Sequence, residues 1–155
     1  MNQTGGNLAS RRVGFSLLEL VLVLAMVGVV SAMAVPRYSS LVSYYRADMT
    51  SRRVVADLAL ARRHAMITGA AETVTFTPAS EQYQILGLQS MDHSSDDYIV
   101  DLSGSPYHSQ IISASFGGDA TVVFDAYGVP DDGGQIVVQA GDFQKTIVLD
   151  ADSGK

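Results

Sequence analysis

The stretch RRVGFSLLELVLVLAM, residues 11–26, sets an apolar run behind two arginines and then interrupts it with a single carboxylate, Glu19. Between Phe15 and Val35 Glu19 is the only charged residue, and these 21 residues as a helix reach about 30 Å, the thickness of a bilayer's hydrocarbon core. An acid in such a run weakens insertion, so it needs a partner or a purpose. Arg11 and Arg12 have the placement of a cytoplasmic leader held back by positive charge, whereas Arg37, Arg46, Arg52 and Arg53 beyond the run oppose that orientation by count.

Three simpler readings compete. Ala32-Met33-Ala34 has the A-x-A form of an ordinary signal-peptidase site, but Glu19 would then lie in the apolar region of a secretory signal. SRRVGFS suggests a twin-arginine signal, yet Gly14 stands where a bulky apolar residue is wanted. A plain single-pass anchor accounts for the length and leaves both Glu19 and Pro36 unexplained.

The residues GFSLLELVLVLAMVGVVSAMAVPRY, from Gly14 to Tyr38, closely resemble the class III signal of type IV prepilins and type II secretion pseudopilins. The resemblance lies in Gly14 followed by Phe15, Glu19 four residues later, an uninterrupted apolar run, and Pro36 closing it. It implies that a prepilin peptidase cuts after Gly14 on the cytoplasmic side and methylates the new amine on Phe15. It also implies a filament helix that partly unwinds around Gly28 and Pro36.

Under that resemblance Glu19 gains a purpose. Residues four apart share one helix face, so an amine on Phe15 and the Glu19 carboxylate lie within reach of each other or of a neighbouring subunit's matching groups. A carboxylate in the first turn is also favoured by the helix dipole by about 0.3 to 1 kcal/mol. In an apolar bundle an unpaired Glu19 would cost several kcal/mol, which favours the docking register that pairs it. Gly28 and Ala32 add a small-xxx-small pair that permits close helix approach, and Pro36 removes a backbone donor and bends the helix.

The formal charge of -6 is unevenly distributed. Arg37 to Arg63 carries a net +4, and His64 to Lys155 a net -11 with histidine neutral. An acidic head disfavours nucleic acid as its partner, while the basic neck suits anionic headgroups or an acidic neighbour. The 155 residues hold no Cys, which removes disulfides, thiolate metal sites and thiol nucleophiles.

From Arg37 no Pro or Gly occurs until Gly69, placed as a C-terminal cap, so the helix is expected to continue to Thr68, about 80 Å from Phe15. Val54, Leu58, Ala61 and Ala65 form an apolar stripe along it. Beyond Gly69 the period changes to two. ETVTFTP (72–78) and EQYQILGL (81–88) read as a hairpin, followed by strands in DYIVDL, IISASF, ATVVFDA, GQIVVQA and KTIVLD. The expected fold is α+β and type IV pilin-like: a long N-terminal helix, its first half membrane-spanning, packed on an antiparallel β-sheet head. The expected segments are a cleaved leader (1–14), a transmembrane and filament-core helix (15–36), its amphipathic continuation (37–69) and a β-rich head (70–155).

The layout and the ending FDAYGVPDDGGQIVVQAGDFQKTIVLDADSG are similar to GspH/FimT-type minor pilins, through Phe124, Asp125, Gly128, Ser153 and Gly154. The resemblance implies a subunit of the bacterial inner membrane with its head in the periplasm. Its expected partners are prepilin peptidase, other pseudopilins or pilins, the inner-membrane assembly platform and the lipid bilayer.

A search for chemistry yields no catalytic set. His64, His93 and His108 are scattered, with no HExxH and no GxSxG. Asp92, His93, Asp96 and Asp97 could gather around calcium, as the loop of the major pseudopilins does, but no EF-type spacing supports it and a solvated acidic loop is the simpler reading. DADSGK is read as a strand end and tail. No enzyme activity and no cofactor are expected. The sequence favours a minor pseudopilin of a type II secretion system. The alternatives are a minor pilin of a type IV pilus and, in another class, a membrane-anchored binding protein or enzyme.

Overall fold

Apolar periodicity of about 3.6 gives way to periodicity of two at Gly69, and the secondary structure changes there. The computed structural model describes residues 14–89, 97–152 and 154, and the side chains of 33–36 fall outside the description. One helix, α1 (Leu17–Thr68), is followed by β1 (Glu72–Thr77), a 3-10 turn (Pro78–Ser80), β2 (Gln82–Gln89), β3 (Asp97–Asp101), β4 (Gln110–Phe116), β5 (Thr121–Phe124), β6 (Gly134–Ala140) and β7 (Phe143–Leu149). The chain divides into two compact units, Met1–Tyr38 and Ser39–Lys155, and α1 contributes to each.

In the first unit, α1 begins where the Leu20 amide bonds the Ser16 carbonyl at 3.1 Å, which puts Glu19 in the first turn. Phe15 is 82% exposed, and no residue of the most apolar window of α1 is buried within the chain. By length and composition this stretch can cross a membrane.

In the second unit, the expected stripe is the buried face of α1. Val54, Leu58, Ala61 and Ala65 are all buried, and Ala47 and Thr50 extend the stripe toward the N-terminus at the same spacing. The helix stops at Gly69, whose amide bonds the Ala65 carbonyl at 2.9 Å. Along the strands alternate residues point inward: Val74 and Phe76 on β1, Tyr83 and Ile85 on β2, Val122 and Phe124 on β5, Ile136 and Val138 on β6. Fully burying each such side chain contributes about 1.5 to 3 kcal/mol.

The antiparallel β head expected behind the helix is present, and its strands divide into two sheets, in the orders β3-β2-β1-β5 and β4-β6-β7. β5 returns to pair with β1, with Val122 opposite Val74, and β4 pairs with β6 instead of joining β3. A single seven-stranded sheet would twist its outer strands away from the helix stripe, whereas two small sheets close over it from both sides. The two inner faces meet in one core, where the Phe76 and Phe116 rings stack with centroids 5.7 Å apart. At the start of β6 a Cβ on Gly134 would lie 2.2 Å from the Ser115 carbonyl oxygen, so only glycine lets β4 approach there.

Candidate assembly surfaces

Each face of α1 in the second unit meets a different environment. On one flank Asp57, only 5% exposed, accepts from the Tyr83 hydroxyl at 2.5 Å and Arg53 Nε at 2.9 Å through Oδ2, and from the Tyr98 hydroxyl at 2.9 Å through Oδ1. Arg53 Nη2 also donates to the Tyr98 hydroxyl at 2.7 Å. Helix, β2 and β3 are thereby tied around one carboxylate. Burial and the adjacent Asp57 charge both push the Tyr83 and Tyr98 hydroxyls above the usual tyrosine range. Burial works against the Arg53 charge, but the charge and hydrogen bond of Asp57 outweigh it and raise its pKa. Further along, His64 Nδ1 lies 2.6 Å from Oε2 of the buried Glu72, which joins the last turns of α1 to the first residue of β1.

The opposite flank holds the C-terminal residues singled out in the sequence. Asp125 Oδ1 accepts from the amides of Tyr127 and Val129, each at 2.9 Å, and shapes the turn that presents Gly128. Gly128 has φ +76°, and a Cβ there would come within 3.0 Å of Arg62 Cγ and Met66. Arg62 Nε donates to the Gly128 carbonyl at 3.0 Å. Gly154 closes the same corner: a Cβ on it would lie 3.1 Å from the Gly128 carbonyl and 3.3 Å from Arg62 Nε. Asp125, Gly128 and Gly154 therefore form a clasp on Arg62 of α1, while Phe124, at the end of β5, is buried in the core. Ser153 lies outside the described residues.

A family model described as type II transport protein GspH matches residues 50–153. The chain belongs to the GspH family. The matched region runs from Thr50 on the buried face of α1, through both sheets, to the clasp. Among solved structures the chain is similar to the type IV minor pilin FimU of Pseudomonas aeruginosa, with 13% identity, coverage of 72% of this chain and 87% of that chain, and a TM-score of 0.49. No curated protein matches the chain in sequence. The GspH assignment makes this a pseudopilin or minor pilin, a subunit of a filament with other pseudopilins or pilins, and its N-terminal helix is long and apolar enough to cross a membrane.

The remaining sequence-derived residues take these places. Gly14 and Phe15 precede α1, and Glu19 lies in its first turn. Gly28 and Pro36 fall inside α1, and a Cβ on Gly28 would meet nothing within 4 Å, so its small size is not used within this chain. Asp92, His93 and Asp96 lie outside the described residues; Asp97 heads β3 and accepts from Gln84 at 3.1 Å. Asp150 belongs to a tail turn, its carbonyl accepting from the Gly154 amide at 2.9 Å. Asp57 is not singled out in the sequence, where it enters only through the net charge of the neck. Its signal was position: Asp57 lies three residues from Val54 and four from Ala61, on the flank of the buried stripe.

Proposed function

We propose that this GspH-family chain is a minor pseudopilin of a type II secretion system. A prepilin peptidase removes residues 1–14 and methylates Phe15. Residues 15–36 hold the subunit in the bacterial inner membrane and then enter the filament core, while 37–69 continue the helix and 70–155 form the periplasmic head. The assembly platform lifts the subunit into a pseudopilus that supports secretion, with flexing around Gly28 and Pro36. The role is structural, and the chemistry is done on the chain by the peptidase. The secretion assignment is supported by the description of the matching family, type II transport protein, and by the acidic head.

The observation that carries the reading is the state of the N-terminal helix surface. Its apolar side chains find no cover within the chain, and its one carboxylate sits in the first turn where a freed Phe15 amine would lie. Lipid covers the apolar surface before assembly, and neighbouring helices cover it afterwards. The second environment adds a neighbouring subunit's amine as a partner for Glu19.

Two measurements test this. The intact mass of the membrane form should begin at methylated Phe15, and replacing Gly14 by a bulky residue should leave the leader attached; a terminus at Val35 would sink the filament reading. Cells lacking the chain should retain secretion substrates in the periplasm and keep their surface pili. Loss of pili with normal secretion would assign the subunit to a type IV pilus instead.

A further inference from the structure

Between α1 and β7 lies a groove of about 450 Å³, lined on the helix side by Val55, Arg62, Arg63 and Met66 among others, and on the strand side by Ile147 to Leu149. We propose that this groove receives an extended segment of a neighbouring pilin-type subunit, in which apolar residues alternate with carboxylates, and that this segment pairs with the free edge of β7. The inference rests on the filament reading above.

Three observations converge on that occupant. β7 ends the order β4-β6-β7, so one of its edges has no strand partner among the described residues. The lining includes the inward Ile147 and Leu149 together with the outward Val148, so the groove follows the strand's edge and not one of its faces. An edge strand offers alternating backbone donors and acceptors, which an extended peptide satisfies and an acyl chain does not.

The side chains specify the rest. Val148 is 66% exposed, Val55 51% and Met66 43%, a set of aliphatic and thioether groups in water beside an unpaired edge. Edges are commonly guarded by lysine, but Lys145 is drawn toward the helix, 3.6 Å from Asp48 and over the Tyr44 ring. The charged residues lining the groove are Arg62 and Arg63, neither with a carboxylate partner among the described residues, and no acid lines it. An acidic and apolar strand complements both features. In a second copy of this chain the acids of edge strand β3 are already engaged, Asp97 by Gln84 and Asp101 by Ser103 and Gln82, which favours a different subunit.

Photocrosslinking in the full-length chain, in membranes of cells assembling the filament, tests the proposal. Val148 is replaced by benzoylphenylalanine, Leu22 in the apolar helix receives the same probe as a control, and crosslinked peptides are mapped by mass spectrometry. The probe at Val148 should join a segment of another pilin-type subunit that alternates apolar residues with Asp or Glu. Arg63→Glu, at an exposed position, should lower that yield at least tenfold and leave the Leu22 product unchanged. If Leu22 captures neighbouring subunits while Val148 captures nothing, lipid or a second copy of this chain, the groove proposal falls and the filament reading stands. If neither position captures a pilin-type subunit, both fall.

Discussion

The Tyr83 hydroxyl donates to Asp57 Oδ2 at 2.5 Å, joining strand β2 to the helix through a carboxylate that is almost wholly buried. Asp57 holds three donors, and each would be left differently by its loss. Arg53 is partly exposed and can turn to water, whereas Tyr83, at 1% exposure, cannot.

Asp57→Ala should therefore cost about 2 to 4 kcal/mol, because it strands a buried hydroxyl and removes the partner of Arg53. Tyr83→Phe should cost about 1 to 2 kcal/mol, since Asp57 keeps Arg53 and Tyr98. Urea unfolding of a truncated form beginning at Ser39, which retains every residue of the core cluster, measures both. Equal midpoints for Asp57→Ala and the parent would remove the network from any account of stability.

The same contacts set an alkaline limit. Tyr83 and Tyr98 have folded-state pKa values above the unfolded value of about 10, so the folded form holds its protons longer. Their contribution is complete below about pH 10 and is lost progressively as pH rises beyond it toward the folded pKa. Exposed tyrosines such as Tyr127 contribute to tyrosinate absorbance whether or not the chain is folded, so the expected signature is a further rise that coincides with unfolding. Tyr83→Phe should reduce that rise and flatten the decline of stability above about pH 10. A Tyr83 that ionises in the folded chain near pH 10 would contradict this.

Two glycines of α1 and its clasp should respond in opposite ways. Gly128→Ala forces a side chain into φ +76° and against Met66 at 3.0 Å, which should cost about 1 to 3 kcal/mol in thermal unfolding. Gly28→Ala meets nothing within 4 Å and favours helix, so the isolated subunit should lose no stability. A deficit for Gly28→Ala that appears only in filament incorporation would assign its small size to contacts between subunits.

Glu19→Val removes a costly group from the apolar run, so membrane insertion should equal or exceed that of the parent. Incorporation into filaments should fall sharply, read as loss of co-purification with partner pilins. Normal incorporation of the valine form would end the pairing of Glu19 with a neighbour's amine as an explanation.

DNA affinity at physiological salt comes largely from Lys and Arg releasing counterions, and the chain from His64 onward has a net -11. The form beginning at Ser39 should show no salt-sensitive shift with double-stranded DNA up to about 100 micromolar, the range where non-specific binders register. A low-salt complex that dissolves as salt rises would favour a pilus with a role in DNA uptake.

The sequence by itself determined the elements. The spacing of Val54, Leu58, Ala61 and Ala65 marked the buried helix face, the switch to period two after Gly69 announced seven strands, and Glu19 in its apolar run set the N-terminal segment apart. These signals are local, because helices and strands repeat over four residues or two. Tertiary structure alone decided that β4 leaves its neighbours for β6, so that two sheets share the helix stripe. It also made Asp57 the anchor of Tyr83 and Tyr98, and turned Gly128 and Gly154 into a clasp on Arg62. Each of these unites residues far apart in the chain. Which partners meet depends on how all the apolar faces fit together at once, and no window of the sequence contains that information.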